Sequence, residues 1–183
     1  VAMLLLAVGS AAAEPDAAKQ PVGFFYKTIE LNGENYAYAV YVPPNYTAEK
    51  QWPLILFLHG MGERGDDGLL QTEIGLGGAI RRNYRQVPAV VVFPQCRDKQ
   101  LWVSDANELG PMAELALACV TQTSREYNCD PKRLYLTGLS MGGNGAWHIA
   151  ARHPEMFAAV VPVCGFAEWK EDTGVAARLA PRL

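Results

Sequence analysis

Two runs, Phe24 to Leu31 and Asn35 to Val42, flank Asn32-Gly33. In the second, Tyr36, Tyr38, Val40 and Val42 alternate with other side chains, which puts them on one face of a strand. Asn-Gly tolerates the positive φ of a two-residue turn, so the pair predicts a β-hairpin with those four residues on its core face. Pro43-Pro44-Asn45 ends it. Leu54 to Leu58 and Ala89 to Phe93 are short, unbroken apolar runs that predict buried strands. The run opening at Leu134 alternates too little for a half-exposed strand and predicts one buried on both faces. Ala158 to Val163 supplies a further strand.

Helical spacing fills the gaps. Ile74 to Tyr84 predicts a helix whose basic residues Arg81, Arg82 and Arg85 suit the negative end of its dipole. Gly110-Pro111 opens another, with Met112, Leu115, Ala116, Cys119, Val120 and Thr123 at i, i+3, i+4, i+7, i+8 and i+11. Asn128 to Pro131 stops it. A third helix follows Ser140 and ends at His153-Pro154. Strand and helix in alternation predict an α/β fold, a mostly parallel sheet carrying an antiparallel hairpin at its N-terminal end.

Composition narrows the setting. The chain has 183 residues, half of them hydrophobic, as one globular domain requires. Sixteen Lys and Arg against 19 Asp and Glu give a net charge of −3, and no basic cluster exceeds Arg81-Arg82, so a nucleic-acid partner is not expected. Val1 to Ala13 is apolar, too short to span a bilayer, and ends in three alanines of the kind a signal peptidase accepts. It reads as the remnant of a signal peptide, residues 14–23 as a linker, and residues 24–183 as the domain. A secreted or periplasmic protein without a stable membrane anchor is the expectation. Export permits disulfides among Cys96, Cys119, Cys129 and Cys164 and predicts fewer than four titratable thiols. No zinc pattern occurs among them.

The candidate chemistry lies at the ends of two strands. Gly138-Leu139-Ser140-Met141-Gly142 has the G-x-S-x-G spacing between strand and helix. A serine on that tight turn is lifted clear of the sheet, and Gly138 and Gly142 let neighbouring backbone pass. Ser140 is thus the candidate nucleophile. Acyl transfer also needs two backbone donors for the developing oxyanion, one after the nucleophile and one from another strand end. The Met141 N–H and, from His59-Gly60-Met61-Gly62 after the Leu54 strand, the Met61 N–H fit those roles. His59 and Gly60 read as support for that loop. Trp102, past a third strand end, reads either as a wall of the substrate pocket or as a plug holding its loop down. Asp66-Asp67 reads as solvated loop, and no metal or cofactor is expected.

HGMGERG, FPQCR followed by Trp102, and TGLSMGGNGAWHIAARHPEMFAAVVPVCG together resemble the secreted α/β-hydrolase esterases grouped with carboxylesterases/phospholipases, feruloyl and acetyl-xylan esterases and polyhydroxybutyrate depolymerases. The resemblance runs from Phe24 to Gly165. It implies an α/β-hydrolase fold, Ser140 as nucleophile and the Met61 and Met141 amides as oxyanion hole. It also implies plant-polysaccharide esters, feruloyl or acetyl, as substrates.

The base does not follow from either argument. In this fold the order is Ser, then Asp or Glu, then His, and no histidine follows His153. At roughly 1.5 Å per helical residue, His148 lies about 12 Å and His153 nearly 20 Å along the helix from Ser140. Both read as helix-surface or helix-end residues. Glu168 and Asp172 are the acids nearest the position the order requires. These gaps predict a chain truncated at its C-terminus, with the last strands of the sheet missing. A serine peptidase of the same fold and a non-catalytic, hydrolase-like binding module are the alternatives.

Overall fold

A computed structural model describes residues 21–104, 109–167 and 174–179. Its sheet has six strands in the order β1-β2-β4-β3-β5-β6. These are β1 (Gly23–Leu31), β2 (Glu34–Val42), β3 (Trp52–Leu58), β4 (Val90–Pro94), β5 (Cys129–Leu139) and β6 (Ala159–Val163). The N-terminal hairpin forms as expected. Asn32 and Gly33 both take positive φ (53° and 81°), and β1 pairs antiparallel with β2 from Gly23 opposite Val42 to Leu31 opposite Glu34. β2 joins β4 antiparallel, and β4, β3, β5 and β6 then run parallel. The C-terminal ends of β3, β4, β5 and β6 therefore share one rim, where open α/β sheets bind ligands.

Helices α1 (Leu76–Arg82), α2 (Pro111–Glu126), α3 (Met141–Arg152) and α4 (Val175–Leu179) complete the described fold. The larger core joins Tyr36, Tyr38, Val40 and Val42 to Leu54, Leu56 and Leu136, under Met112, Leu115, Ala116, Cys119 and Val120 of α2 and Ala146 and Ile149 of α3. On the other face Ile80 of α1 packs with Tyr41, Phe57, Val91 and Phe93. Each large apolar side chain fully withdrawn from water contributes about 1.5–3 kcal/mol. Trp52, Trp102, Tyr38 and Phe93 are among the largest of them.

Four expectations change. The strand through Leu134 begins earlier, at Cys129, because Cys129 pairs with Trp52 and Leu134 with Leu54, leaving Asp130 to Arg133 as an irregular insertion. It is buried on one face only. Leu134, Leu136 and Gly138 are buried while Tyr135, Thr137 and Leu139 are partly open, since the second core reaches β5 only at Leu139. The helix expected over 74–84 shrinks to 76–82: Gly75 takes φ 64° before it, and Asn83 leaves helical geometry after it. Nothing in the pattern after Phe166 announced α4, whose Val175 and Leu179 enter the main core. Its five residues are too few to show a helical period.

The cysteines also differ from expectation, because all four are unpaired. Cys119 sits in the α2 core, Cys129 at the start of β5, Cys96 beyond β4, and only Cys164, after β6, is exposed. The signal-like segment and most of the linker lie outside the described residues. Among those described, no helix is long and apolar enough to cross a membrane. Among the described residues, β6 forms one edge of the sheet, with Val161 60% and Val163 42% exposed.

Burial pushes the Cys96 and Cys129 thiols up to about 12 and raises Cys119 as well, so none of these supplies thiolate at neutral pH. One thiol should therefore react with an aromatic disulfide reagent in the native protein, and all four after denaturation without reductant. A denatured count of two or fewer would contradict the unpaired state.

Candidate active site

β5 delivers the chain to the rim at Leu139, and α3 leaves from Met141. Ser140 between them has φ 54° and ψ −113°, a conformation that costs an L-residue on the order of 1–3 kcal/mol. The surroundings hold it there. The Ser140 N–H donates to Val163 O of β6 at 2.8 Å, and Ser140 O accepts the Asn144 N–H of α3 at 3.0 Å. Backbone packs against backbone on every side. A Cβ on Gly142 would lie 2.0 Å from Leu58 O, and one on Gly138 would lie 2.2 Å from Gly142 O. Gly143 and Gly165 meet as closely, so β6 locks onto the first turn of α3. With no room to retreat, the Ser140 side chain is exposed.

The loop after β3 runs alongside. A Cβ on Gly60 would sit 3.9 Å from Ser140 Cβ and 3.6 Å from Leu139 O. His59, 1% exposed, has both ring nitrogens engaged. Its Nδ1 lies 2.6 Å from Gly60 O, and its Nε2 lies 2.9 Å from the Cys96 N–H. An amide N–H can only donate, so Nε2 accepts and Nδ1 carries the proton it gives to Gly60 O. Gly60 C=O and Met61 N–H belong to one planar peptide and point in opposite directions. Fixing the carbonyl therefore fixes where the N–H points. Met61 opens a 3₁₀ turn (Met61–Glu63) and Met141 opens α3, so neither N–H has a partner within its own helix. The Met61 side chain is 55% exposed, whereas that of Met141 is buried.

Trp102 is fully buried, in the second of its two expected roles. Its Nε1–H donates to His59 O at 3.0 Å, and its ring meets the His59 ring edge-on at 5.1 Å. A Cβ on Gly145 of α3 would strike Trp102 Cβ at 2.7 Å. The indole therefore props His59 and offers a substrate no surface.

None of the chain's three histidines presents a ring nitrogen to Ser140. His59 spends both in its loop. His148, expected at the helix surface, is instead fully buried, because the face of α3 it occupies packs on the domain. His153 caps the far end of α3, nearly 20 Å along the helix from Ser140 at roughly 1.5 Å per residue. Asp67 accepts the Leu69 and Leu70 N–H groups and Asp66 pairs with Arg97, so both acids serve the loop. Glu168 and Asp172 lie outside the described residues. Sequence reasoning overlooked Gln95, which is 2% exposed beyond β4 and hydrogen-bonded to the loop that follows Met61. The available signal was its place in FPQCR, at the same rim.

Fold and site together define an α/β hydrolase. The Esterase family, described as "Putative esterase", matches residues 30–178, and this chain belongs to it. The bifunctional acetylxylan esterase/xylanase XynS20E of Neocallimastix patriciarum is 30% identical over 138 residues, covering 69% of this chain and 17% of that one. A thermostable esterase of solved structure superposes with a TM-score of 0.73 at 31% identity, over 85% of this chain and 44% of its own. An acetyl xylan esterase from Aspergillus awamori, at 23% identity and a TM-score of 0.57 over 75% of this chain and 50% of its own, shares the fold. The chain thus spans less than half the length of the first two.

Burial, against the pull of Gly60 O, holds the His59 imidazole at about 4, below its usual 6.5. The unfolded chain takes up this proton first, so the contribution is complete above pH 6.5 and is lost as pH falls towards about 4. It amounts to about 3 kcal/mol. The urea midpoint should fall across that window, and less steeply in His59→Gln. Equal slopes would show that His59 is not buried neutral.

Proposed function

We propose that this protein is an exported serine hydrolase that cleaves carboxylic esters through an acyl-enzyme on Ser140. The observation that carries this reading is the strained, exposed Ser140 with the Gly60 loop packed beside it. Ser140 Oγ attacks the ester carbonyl carbon as a base removes its proton, and the carbonyl oxygen becomes an oxyanion. The Met61 and Met141 N–H groups donate to it, reinforced by the positive end of α3. Collapse of the intermediate breaks the bond to the alcohol, which leaves with the proton from the base. Water then repeats the sequence on the acyl-enzyme and frees the acid. His59 stays neutral throughout and holds the loop. The base is a histidine other than the three in this chain, oriented by an acid.

Family membership and the likeness to an acetylxylan esterase support ester substrates, with acetyl or feruloyl groups on plant polysaccharide the favoured class. The signal-like N-terminus supports a secreted or periplasmic location. No cofactor, metal or nucleic acid enters the scheme. A second reading, a binding module that grips an ester without cleaving it, is favoured by one observation: no imidazole here is free for Ser140.

The full-length protein should release p-nitrophenol from a short acyl ester and leave peptide p-nitroanilides intact. Ser140→Ala should lower kcat by several orders of magnitude, on the order of 10⁴ or more, with an unchanged urea midpoint. Retained turnover would remove Ser140 from the mechanism. Binding of the ester without release of the alcohol by the wild type would favour the binding module.

A further inference from the structure

The amide of Gln95 is buried at the rim and uses both ends on the loop that carries Met61. Its Oε1 accepts the Gly68 N–H at 2.7 Å. Its Nε2 donates to Glu63 O at 3.3 Å and to Asp67 Oδ1 at 3.0 Å. Glu63 is the last residue of the 3₁₀ turn that Met61 opens, and Arg64 Nε holds the Met61 carbonyl at 3.0 Å. Asp67 Oδ1 in turn accepts the Leu69 and Leu70 N–H groups at 2.7 and 3.1 Å. The Gly65 N–H donates to Cys96 O at 2.9 Å, and a Cβ on Gly65 would come within 3.2 Å of Gln95 Nε2. One side chain thus ties the end of the Met61 turn, a carboxylate and a backbone N–H to the end of β4.

We propose that Gln95 is a positioning residue for the oxyanion hole: it fixes the Met61–Glu63 turn against β4 and so sets the direction of the Met61 N–H. The proposal rests on the esterase reading for its catalytic consequence, and on the hydrogen bonds above for its structural one. A carboxamide is the side chain that fits. It offers one acceptor to Gly68 and two donor hydrogens to Glu63 O and Asp67, whereas a carboxylate would face both oxygens with a third. A protonated carboxyl restores one of those donors. Gln95→Glu therefore converts the position into a titratable one, in a setting where the Asp67 carboxylate raises the new group's affinity for a proton and Arg97 is already paired with Asp66 at 3.4 Å.

The test uses the full-length wild type with Gln95→Glu and Gln95→Leu. At about pH 9.5, above the range to which burial and a neighbouring carboxylate raise a carboxyl, Gln95→Glu should lower kcat roughly ten- to a hundredfold, the loss expected for a misdirected oxyanion donor, with KM nearly unchanged. The ratio of its kcat to that of wild type should climb several-fold on acidification to about pH 5.5, while the ratio for Gln95→Leu stays flat. Amide exchange over residues 60–70 gives a readout that does not need turnover. It should be faster in Gln95→Glu at the higher pH and should approach the wild-type rate at the lower, after correction for intrinsic exchange. If wild type cleaves esters but the Gln95→Glu ratio does not change with pH, the positioning role is overturned. If wild type cleaves none, the esterase reading fails and the exchange arm still decides: wild-type protection of residues 60–70 in Gln95→Glu overturns the lock, and acid-restored protection sustains it.

Discussion

The site depends on main chain passing main chain. At Gly138, Gly142, Gly143 and Gly165 the backbones of β3, β5, β6 and α3 approach so closely that an added methyl would lie 2.0–2.7 Å from a neighbouring atom. This contact lets α3 start directly over the ends of three strands, with its first N–H groups at the rim. Ser140 makes the turn from β5 into α3 at positive φ, 54° with ψ −113°. The cost of that turn is small beside the stabilisation of the core, and the Val163 and Asn144 hydrogen bonds offset part of it.

The second half of the rim is built from side chains. The loop after β3 has little regular structure, so its shape comes from polar groups reaching in from neighbouring strand ends. His59 bonds Gly60 O and the Cys96 N–H, Trp102 bonds His59 O, and Gln95 bonds Glu63, Asp67 and Gly68. His59, Gln95 and Trp102 are nearly or fully buried. A buried polar group left without its partner costs about 1–3 kcal/mol, so each of these links resists opening. The loop is thus tied down at several points, and in the proposed mechanism a donor held in this way does not have to reorganise when charge develops.

Much of this was legible in the sequence for local reasons. Asn32-Gly33 specifies its own turn, the α2 stripe from Met112 to Thr123 specifies its buried face, and the glycines around Ser140 mark a contact only glycine permits. What was not legible depends on distant parts of the chain. The exposure of one face of β5 depends on how far α1 reaches across the sheet, and the burial of His148 on which side of α3 meets the core. Gln95 and Trp102 act through residues 27 to 43 positions away, and no local pattern encodes such a link.

In the proposed mechanism, one oxygen bound at Ser140 meets two backbone donors from separate elements. A crystal structure of the full-length protein inhibited by a fluorophosphonate measures this directly, because the tetrahedral phosphoryl oxygen stands where the oxyanion would. The expected result is phosphorus on Ser140 Oγ and that oxygen within hydrogen-bonding distance, about 2.7–3.1 Å, of both Met61 N and Met141 N. An adduct whose oxygen points to water, or labelling at another residue, would contradict it.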